Sequence, residues 1–311
     1  MVETRRLNEL RTGMLARARW PSPPYQVALS GGADSATLAA LALATGENVE
    51  AVHVDHGLPA SSSLADAAAA IADALEIRLQ TVEVEIEDGA SPEAVARDAR
   101  YAAFRELGEG SGSVLIGHTR DDQAETVLLN LIRGSGIRGL TGIPFHRAPN
   151  FYRPLLDIPR SETREFATLS GLRFVDDPTN FDRRIRRNWV RLDLIPSIQQ
   201  VNPSIVETLA QTSKTLLGDA DFLDELVPDS ELTGSASVRV PIGELIAVPD
   251  AIRWRILNRN LAGPRQSSGL SAAEFDRVGE VIEGRSSGAQ LEGGVRVERK
   301  GPFLTIRRDD G

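Results

Sequence analysis

The sequence predicts an α/β protein: a parallel, doubly wound sheet carrying the main site, followed by a small, mostly helical domain. Three observations predict it. Val27-Ala28-Leu29 reads as a buried strand, and a turn of Ser, Gly, Gly, Ala, Asp and Ser joins it to a helical Ala/Leu run over 36–44. Further apolar strands at 49–54, 79–86 and 113–117 alternate with helical stretches, the rhythm of βαβ units. Beyond Val227 a stretch rich in Asp, Ser, Pro and Gly breaks that rhythm. The chain of 311 residues has room for two domains. The divisions expected are an N-terminal helix or arm over 1–22, the main domain over 23–226, a linker over 227–244 and the small domain over 245–311.

Along the chain, residues 1–20 form an amphipathic helix with Leu7, Leu10, Met14 and Leu15 inward and arginines mostly outward, ended by Pro21-Ser22-Pro23-Pro24. After the first strand, Ser30-Gly31-Gly32-Ala33-Asp34-Ser35 delivers backbone amides to a helix N-terminus, where the dipole favours an anion. Ser30 and Ser35 add hydroxyls, and Asp34 can hold a cation that accompanies phosphates. The turn therefore reads as a phosphate cradle. A P-loop is excluded, because the only lysines are Lys214 and Lys300 and neither lies in such a loop.

The next strand ends in His53-Val54-Asp55-His56, at the carboxyl edge where open α/β sheets bind ligands. A structural histidine and a nucleotide-facing one are both open there. A helix over 64–75 and a strand over 79–86 follow. Ser91-Pro92-Glu93 opens a helix that places Glu93, Arg97 and Arg100 on one face, either as a surface pair or with an arginine aimed at phosphate. The strand 113–117 leads into His118-Thr119-Arg120-Asp121-Asp122-Gln123-Ala124-Glu125-Thr126. Asp122 and Glu125, spaced i, i+3 on a first helical turn, can face one site and bind Mg2+ or a substrate amine. Downstream, Arg183, Arg184, Arg186, Arg187 and Arg191 crowd into nine residues around Trp189, which reads as core, with stacking on a base the alternative. In a chain of net charge −9 such a cluster is a local anion site rather than general nucleic-acid affinity. Helices are expected over 203–226, 249–261 and 271–282, and a terminal hairpin over 295–299 and 303–307.

Composition narrows the classes. Hydrophobic residues at 41% and charged ones at 25% are ordinary for a globular protein. No apolar run approaches the ~20 residues of a membrane span, and the arginine-rich start has no secretory h-region, so a cytoplasmic location is expected. With no cysteine, disulfides, Fe–S clusters, thiolate zinc and cysteine-borne sulfur are all excluded.

Ser30-Gly31-Gly32-Ala33-Asp34-Ser35 resembles the SGGxDS signature of the N-type ATP pyrophosphatases, the PP-loop superfamily. The segments Gly117–Thr126, Arg133-Gly134-Ser135-Gly136, Gly139–Ile143, Arg153-Pro154-Leu155-Leu156, Asp176–Asn180 and Arg183–Arg191 are together similar to the tRNA(Ile)-lysidine synthetases, across most of residues 23–200. The resemblance implies a sheet of the adenine-nucleotide alpha hydrolase type and a small tRNA-binding domain, matched more loosely. It also implies a short form without the extra C-terminal domain of long members. The implied reaction joins lysine to C2 of the wobble cytidine in the CAU anticodon of tRNA(Ile), through an adenylated cytidine, releasing pyrophosphate and AMP. ATP and Mg2+ are the implied cofactors, tRNA(Ile) and free L-lysine the partners, and a homodimer is allowed.

On that resemblance Ser30 to Ser35, His53, Val54 and His118 would bind ATP. Asp34, Arg97, Asp122 and Glu125 would be catalytic, with Asp34 and Asp122 on the metal. Asp121, Asp177, Asn180, Arg183, Arg184, Arg187 and Arg191 would meet lysine or tRNA. Which of Asp121, Asp122, Glu125 and Asp177 takes which part stays open. So do two other functions: a different PP-loop enzyme, such as a tRNA thiolase or an amide-forming synthetase, and a non-catalytic adenine-nucleotide module. The missing cysteines count against cysteine-dependent thiolases, and no glutaminase domain is visible.

Overall fold

The computed structural model describes residues 2–55, 61–84, 112–228, 237–265 and 270–308. They divide into two compact units, Met1–Leu216 and Leu217–Gly311. The division falls inside a long helix, Ile205–Glu225, rather than after it.

The first unit is built on a six-stranded sheet. Strand β1 (Tyr25–Ala28) is flanked in parallel by β2 (Val49–Asp55) and by β4 (Ser113–Leu115). With β3 (Leu79–Glu83), β5 (His146–Arg147) and β6 (Phe151–Tyr152) the order is β3-β2-β1-β4-β6-β5, antiparallel only at β5. The chain leaves β1 toward β2 and later returns to pair β4 on the opposite side. That reversal makes the carboxyl end of β1 the topological switch point of the sheet, where α/β proteins bind ligands.

Apolar packing locks the layers. One face of the sheet buries Val27, Leu29, Ala51 and Leu115 against α1 (Val2–Arg17), α2 (Ala33–Leu43), α3 (Ser61–Ala74) and α6 (Arg160–Leu169). The N-terminal helix is thus part of the main core and not an appended arm: Leu10 and Met14 are buried in it. Arg6 also pairs bidentately with Glu165 at 2.7 and 2.8 Å, and Arg17 pairs with Glu162, so α1 braces α6 along its length.

A second cluster joins α4 (Arg120–Ile132) to the chain after residue 185. Ala124 and Leu128 pack on Val190 and Ile195, with Leu209 of the long helix, α9, alongside. Between α4 and α6 lies a short helix, α5 (Ile137–Leu140); α7 (Arg186–Trp189) runs through a widened turn at Val190–Leu194 into α8 (Ile195–Gln199).

The second unit has the expected helices α11 (Asp250–Arg265) and α12 (Ala272–Ile282), preceded by the short α10 (Ile242–Ile246). Ser271 and Glu274 form a capping box at the start of α12, where the sequence places a helix start. The terminal hairpin is present as β9 (Val295–Lys300) and β10 (Phe303–Arg308). It belongs to a larger antiparallel sheet of order β7-β10-β9-β8, with β7 at Ser237–Pro241 and β8 at Gly288–Leu291. Residues 237–241, assigned from sequence to a linker, are therefore the edge strand of this sheet. Val238 and Val240 alternate inward there, a pattern too short to stand out beside the polar stretch before it.

Candidate active site

The turn after β1 has the shape a phosphate cradle needs. Gly31 takes φ +83°, and a Cβ there would stand 2.4 Å from the carbonyl oxygen of Leu64. Ser35 Oγ closes the turn, accepting from Ser30 N at 3.2 Å and donating to Gly32 O at 2.9 Å. Gly32 caps α2 without a side chain, so Ala33, Asp34 and Ser35 form its first turn. Gly31→Ala is expected to cost roughly 2–4 kcal/mol, from backbone strain and a forced shift of α3. Urea unfolding against nucleotide binding would check it; an alanine variant as stable as the parent would contradict the geometry.

The loop after β4 meets this cradle. A Cβ on Gly117 would lie 3.2 Å from the backbone of Asp34 and Ser35, so a larger residue would press the two loops apart by a few tenths of an ångström. His118 follows, its Nδ1 3.2 Å from Arg153 Nε. His53 is buried at the end of β2, with Nδ1 2.9 Å from Leu29 O, and Val54 beside it is half-buried. Both histidines thus flank the switch point. Arg97, like Glu93 and Arg100, lies outside the described residues.

Thr119 caps α4, and Asp122 answers it: Asp122 Oδ2 accepts from Thr119 N at 2.7 Å and Thr119 Oγ1 at 2.8 Å. The i, i+3 spacing then sets Glu125 beside Asp122, as the sequence predicts. Opposite them are Arg187 on α7 and Arg191, four residues on, in the widened turn that follows. Arg187 donates to Glu125 Oε2 at 2.8 Å and Asp122 Oδ1 at 2.9 Å. Arg191 takes Glu125 with Nε at 2.7 Å and Nη2 at 3.0 Å. A third arginine, Arg160, completes the cluster. It reaches Asp122 Oδ1 at 2.7 Å, Glu125 Oε1 at 3.0 Å and Asp34 Oδ2 at 3.4 Å. Its own backbone N–H donates to Asp121 Oδ2 at 2.8 Å.

These contacts revise two sequence expectations. Arg187 and Arg191 are not an outward phosphate patch; they turn inward onto the acid pair. Asp122, expected beside Asp34 on a metal, has both oxygens occupied in this structure, and Arg160 stands between the two carboxylates. Asp34 retains capacity, with Thr163 Oγ1 on one oxygen and Arg160 on the other. Among the described residues no three His, Asp or Glu side chains are arranged to hold a metal ion by themselves. One carboxylate beside substrate phosphates is nevertheless a common way to hold Mg2+.

Charge follows burial here. Burial, opposed by Arg160 and reinforced by Asp122, pushes the Asp34 carboxyl up to about 6. Burial acts on Asp122 in the same sense, but Arg160, Arg187 and the Thr119 amide outweigh it and hold that carboxyl well below the usual carboxylate range.

The remaining expected residues lie on the segment that crosses the cradle. Val175 N donates to Gly31 O at 3.0 Å. Asp177 caps the short turn Pro178–Phe181 through Thr179 N and Oγ1, both at 2.8 Å, and Asn180 sits half-buried within that turn. Arg183, Arg184 and Arg186 point to solvent, Arg183 on Asp193 and Arg184 on Asp182. Trp189 is exposed at 43%, which corrects its reading as core.

Residues 7–198 match the PP-loop domain family. The chain is 40% identical to the tRNA(Ile)-lysidine synthase of Salinispora tropica, the alignment covering 92% of this chain and 91% of that one. The chain belongs to the tRNA(Ile)-lysidine synthase family. The Streptomyces coelicolor member is 39% identical over 92% of this chain and 86% of its own, and the Pseudomonas fluorescens member 34% identical over 85% and 56%. Among solved structures, the U34-tRNA thiolase NcsA of Methanococcus maripaludis, described with its [4Fe-4S] cluster, superposes with a TM-score of 0.59 at 18% identity. That likeness covers 74% of this chain and 84% of the thiolase and bears on fold alone; this chain has no cysteine to ligate a cluster.

Within this family's site, Arg160 and Thr163 are the residues sequence reasoning misses. Both sit on the first turn of α6, capped by Pro159. Pro159 before Arg160-Ser161-Glu162, with Phe166 and Leu169 at helical spacing, was a readable helix start.

Proposed function

We propose that this protein uses ATP to join free L-lysine to C2 of the wobble cytidine in the CAU anticodon of tRNA(Ile). The observation that carries the reading is the SGGxDS cradle at the sheet's switch point in a chain of the lysidine synthase family.

In the first step the cytidine O2 bonds to the α-phosphorus of ATP and the bond to the bridging oxygen breaks, so pyrophosphate leaves. The amides of residues 31–35, at the N-terminus of α2, stabilise the charge that gathers on the departing phosphates. Ser30 and Ser35 keep the turn in that form. Mg2+, held by Asp34 with the phosphates, would neutralise charge on pyrophosphate. His53, Val54 and His118 border the adenine side, and Arg97 belongs to the expected phosphate contacts. In the second step the lysine ε-amine bonds to C2, the C2–O bond breaks, and AMP departs as the amine loses a proton. Asp121, Asp177 and Asn180, with Asp122 and Glu125 once their arginines are released, are the polar groups proposed to receive the lysine.

Exposed Arg183, Arg184 and Arg186, with Trp189, form the surface that takes the anticodon arm; an indole face suits a base turned out of its stack. Replacing Arg183 and Arg184 together by alanine should raise the KM for tRNA roughly five- to tenfold and leave kcat within about twofold. Each lost phosphate contact should also flatten the salt dependence by close to one. Steady-state kinetics at several salt concentrations reads both, and a fall in kcat at constant KM would remove these residues from the tRNA surface. Sedimentation tests the homodimer separately.

The decisive assay mixes protein, Mg2+, ATP, radiolabelled lysine and tRNA, omitting each in turn. Pyrophosphate and AMP that depend on tRNA, with label entering tRNA, are expected. Pyrophosphate release without lysine incorporation would move the chemistry to another acceptor.

A further inference from the structure

Asp122 and Glu125 have no acceptor left for a substrate. A carboxylate offers about four lone-pair positions, and on Asp122 they take Arg160, Arg187 and both donors of Thr119. On Glu125 they take Arg160, Arg187 and Arg191 twice. An arriving ammonium would bring three donors to a full site and meet three guanidiniums of its own sign. The arginines are nevertheless the movable half. Their side chains are 20, 27 and 24% exposed, against 9 and 1% for the two acids, which are fixed to the first turn of α4. Arg160 also touches Asp34 on the cradle's helix, so an anion seated on that turn competes for the same guanidinium. Guanidinium favours phosphate at least as well as carboxylate, through the same bidentate geometry.

We propose that Arg160, with Arg187 and Arg191, keeps the acid pair closed to lysine until phosphate groups draw the guanidiniums away, so that nucleotide binding opens the lysine site. This rests on the lysidine-forming reading above. Binding order then follows from charge exchange: phosphates take the arginines, and the freed carboxylates take the ammonium. Premature lysine is excluded without a moving lid. Linkage makes the effect reciprocal, so lysine must tighten nucleotide by the same factor.

Equilibrium dialysis of radiolabelled lysine against the full chain tests this, with and without Mg2+ and α,β-methylene-ATP, which cannot be cleaved at the reacting bond. The analogue is expected to tighten lysine at least about tenfold, within the usual range of coupling between sites. Arg160→Met should bind lysine more tightly than the parent when no nucleotide is present, a gain that a folding defect does not produce. Arg187→Met gives the same readout should the first variant fail to fold. Equal lysine affinity with and without the analogue, in a protein that still incorporates lysine into tRNA, overturns the proposal and leaves the function standing. Lysine that binds in no arm and enters no tRNA overturns the function and the proposal together.

Discussion

Glu125→Gln is expected to be among the most destabilising single substitutions in the first unit. Glu125 is completely buried and accepts four hydrogen bonds from three arginines. The amide keeps the shape but turns an NH2 toward guanidiniums and removes the charge they surround. Breaking a buried ion pair from one side costs about 3–5 kcal/mol; here Arg160 and Arg187 keep Asp122, while Arg191 loses the carboxylate that takes both of its hydrogen bonds. For a unit of this size that corresponds to a fall in Tm of about 10 °C. Differential scanning calorimetry measures the loss. Sulfate provides a second readout, since an added anion can pair with the orphaned arginines. It should recover more stability in Glu125→Gln than in the parent. A variant that loses less than about 1 kcal/mol and ignores sulfate would mean that the cluster is loose and solvated rather than a closed ion-pair network.

The parts of this site that read directly from sequence are those set by local rules. A tight turn between a strand and a helix requires glycine at a positive φ, and Gly31 supplies it. A cap and an i, i+3 spacing place Asp122 beside Glu125 before any tertiary contact is known. What local rules do not contain is the partner across the gap. Arg187 and Arg191 have the spacing of a surface face, and they turn inward only because Val190 and Ile195 pack on Ala124 and Leu128 of a helix some 60 residues earlier. Arg160 comes from a third element, held in place by α1 through Glu162 and Glu165. Phosphate-binding arginines and carboxylate-binding arginines look alike in one dimension. The small domain shows the same limit: helices with caps are legible, whereas β7 finds its partner β10 only 60 residues later.

Asp34→Asn should abolish most activity while raising stability. Pyrophosphate release is expected to fall about 10²–10³-fold, as when one charge-stabilising group leaves a preorganised site. The stability effect runs the other way. Burial lifts the Asp34 carboxyl from 3.8 to about 6, with Arg160 opposing and Asp122 adding to the rise. The native protein therefore holds that proton up to about pH 6, whereas the unfolded chain releases it near pH 3.8. Ionised Asp34 disfavours the folded state, by nothing below pH 4, increasingly between 4 and 6, and by at most about 3 kcal/mol above that. Asparagine carries no charge and escapes the cost. The Tm of Asp34→Asn should match the parent at pH 4, exceed it progressively to pH 6, and stay several degrees above it to pH 8, in buffer free of nucleotide and Mg2+. A variant less stable than the parent at pH 8, or a difference that ignores pH, would show that the parent accommodates the charge without strain. The pattern would suit the cation-holding role proposed for Asp34, since a carboxylate whose charge the folded protein leaves incompletely satisfied gains most from a cation. Asp122, only a few ångströms of guanidinium away, is held in the opposite state, fully paired and ionised. One arginine separates a carboxylate whose charge is incompletely satisfied from one already fully paired, and that contrast gives like residues in one cluster distinct environments.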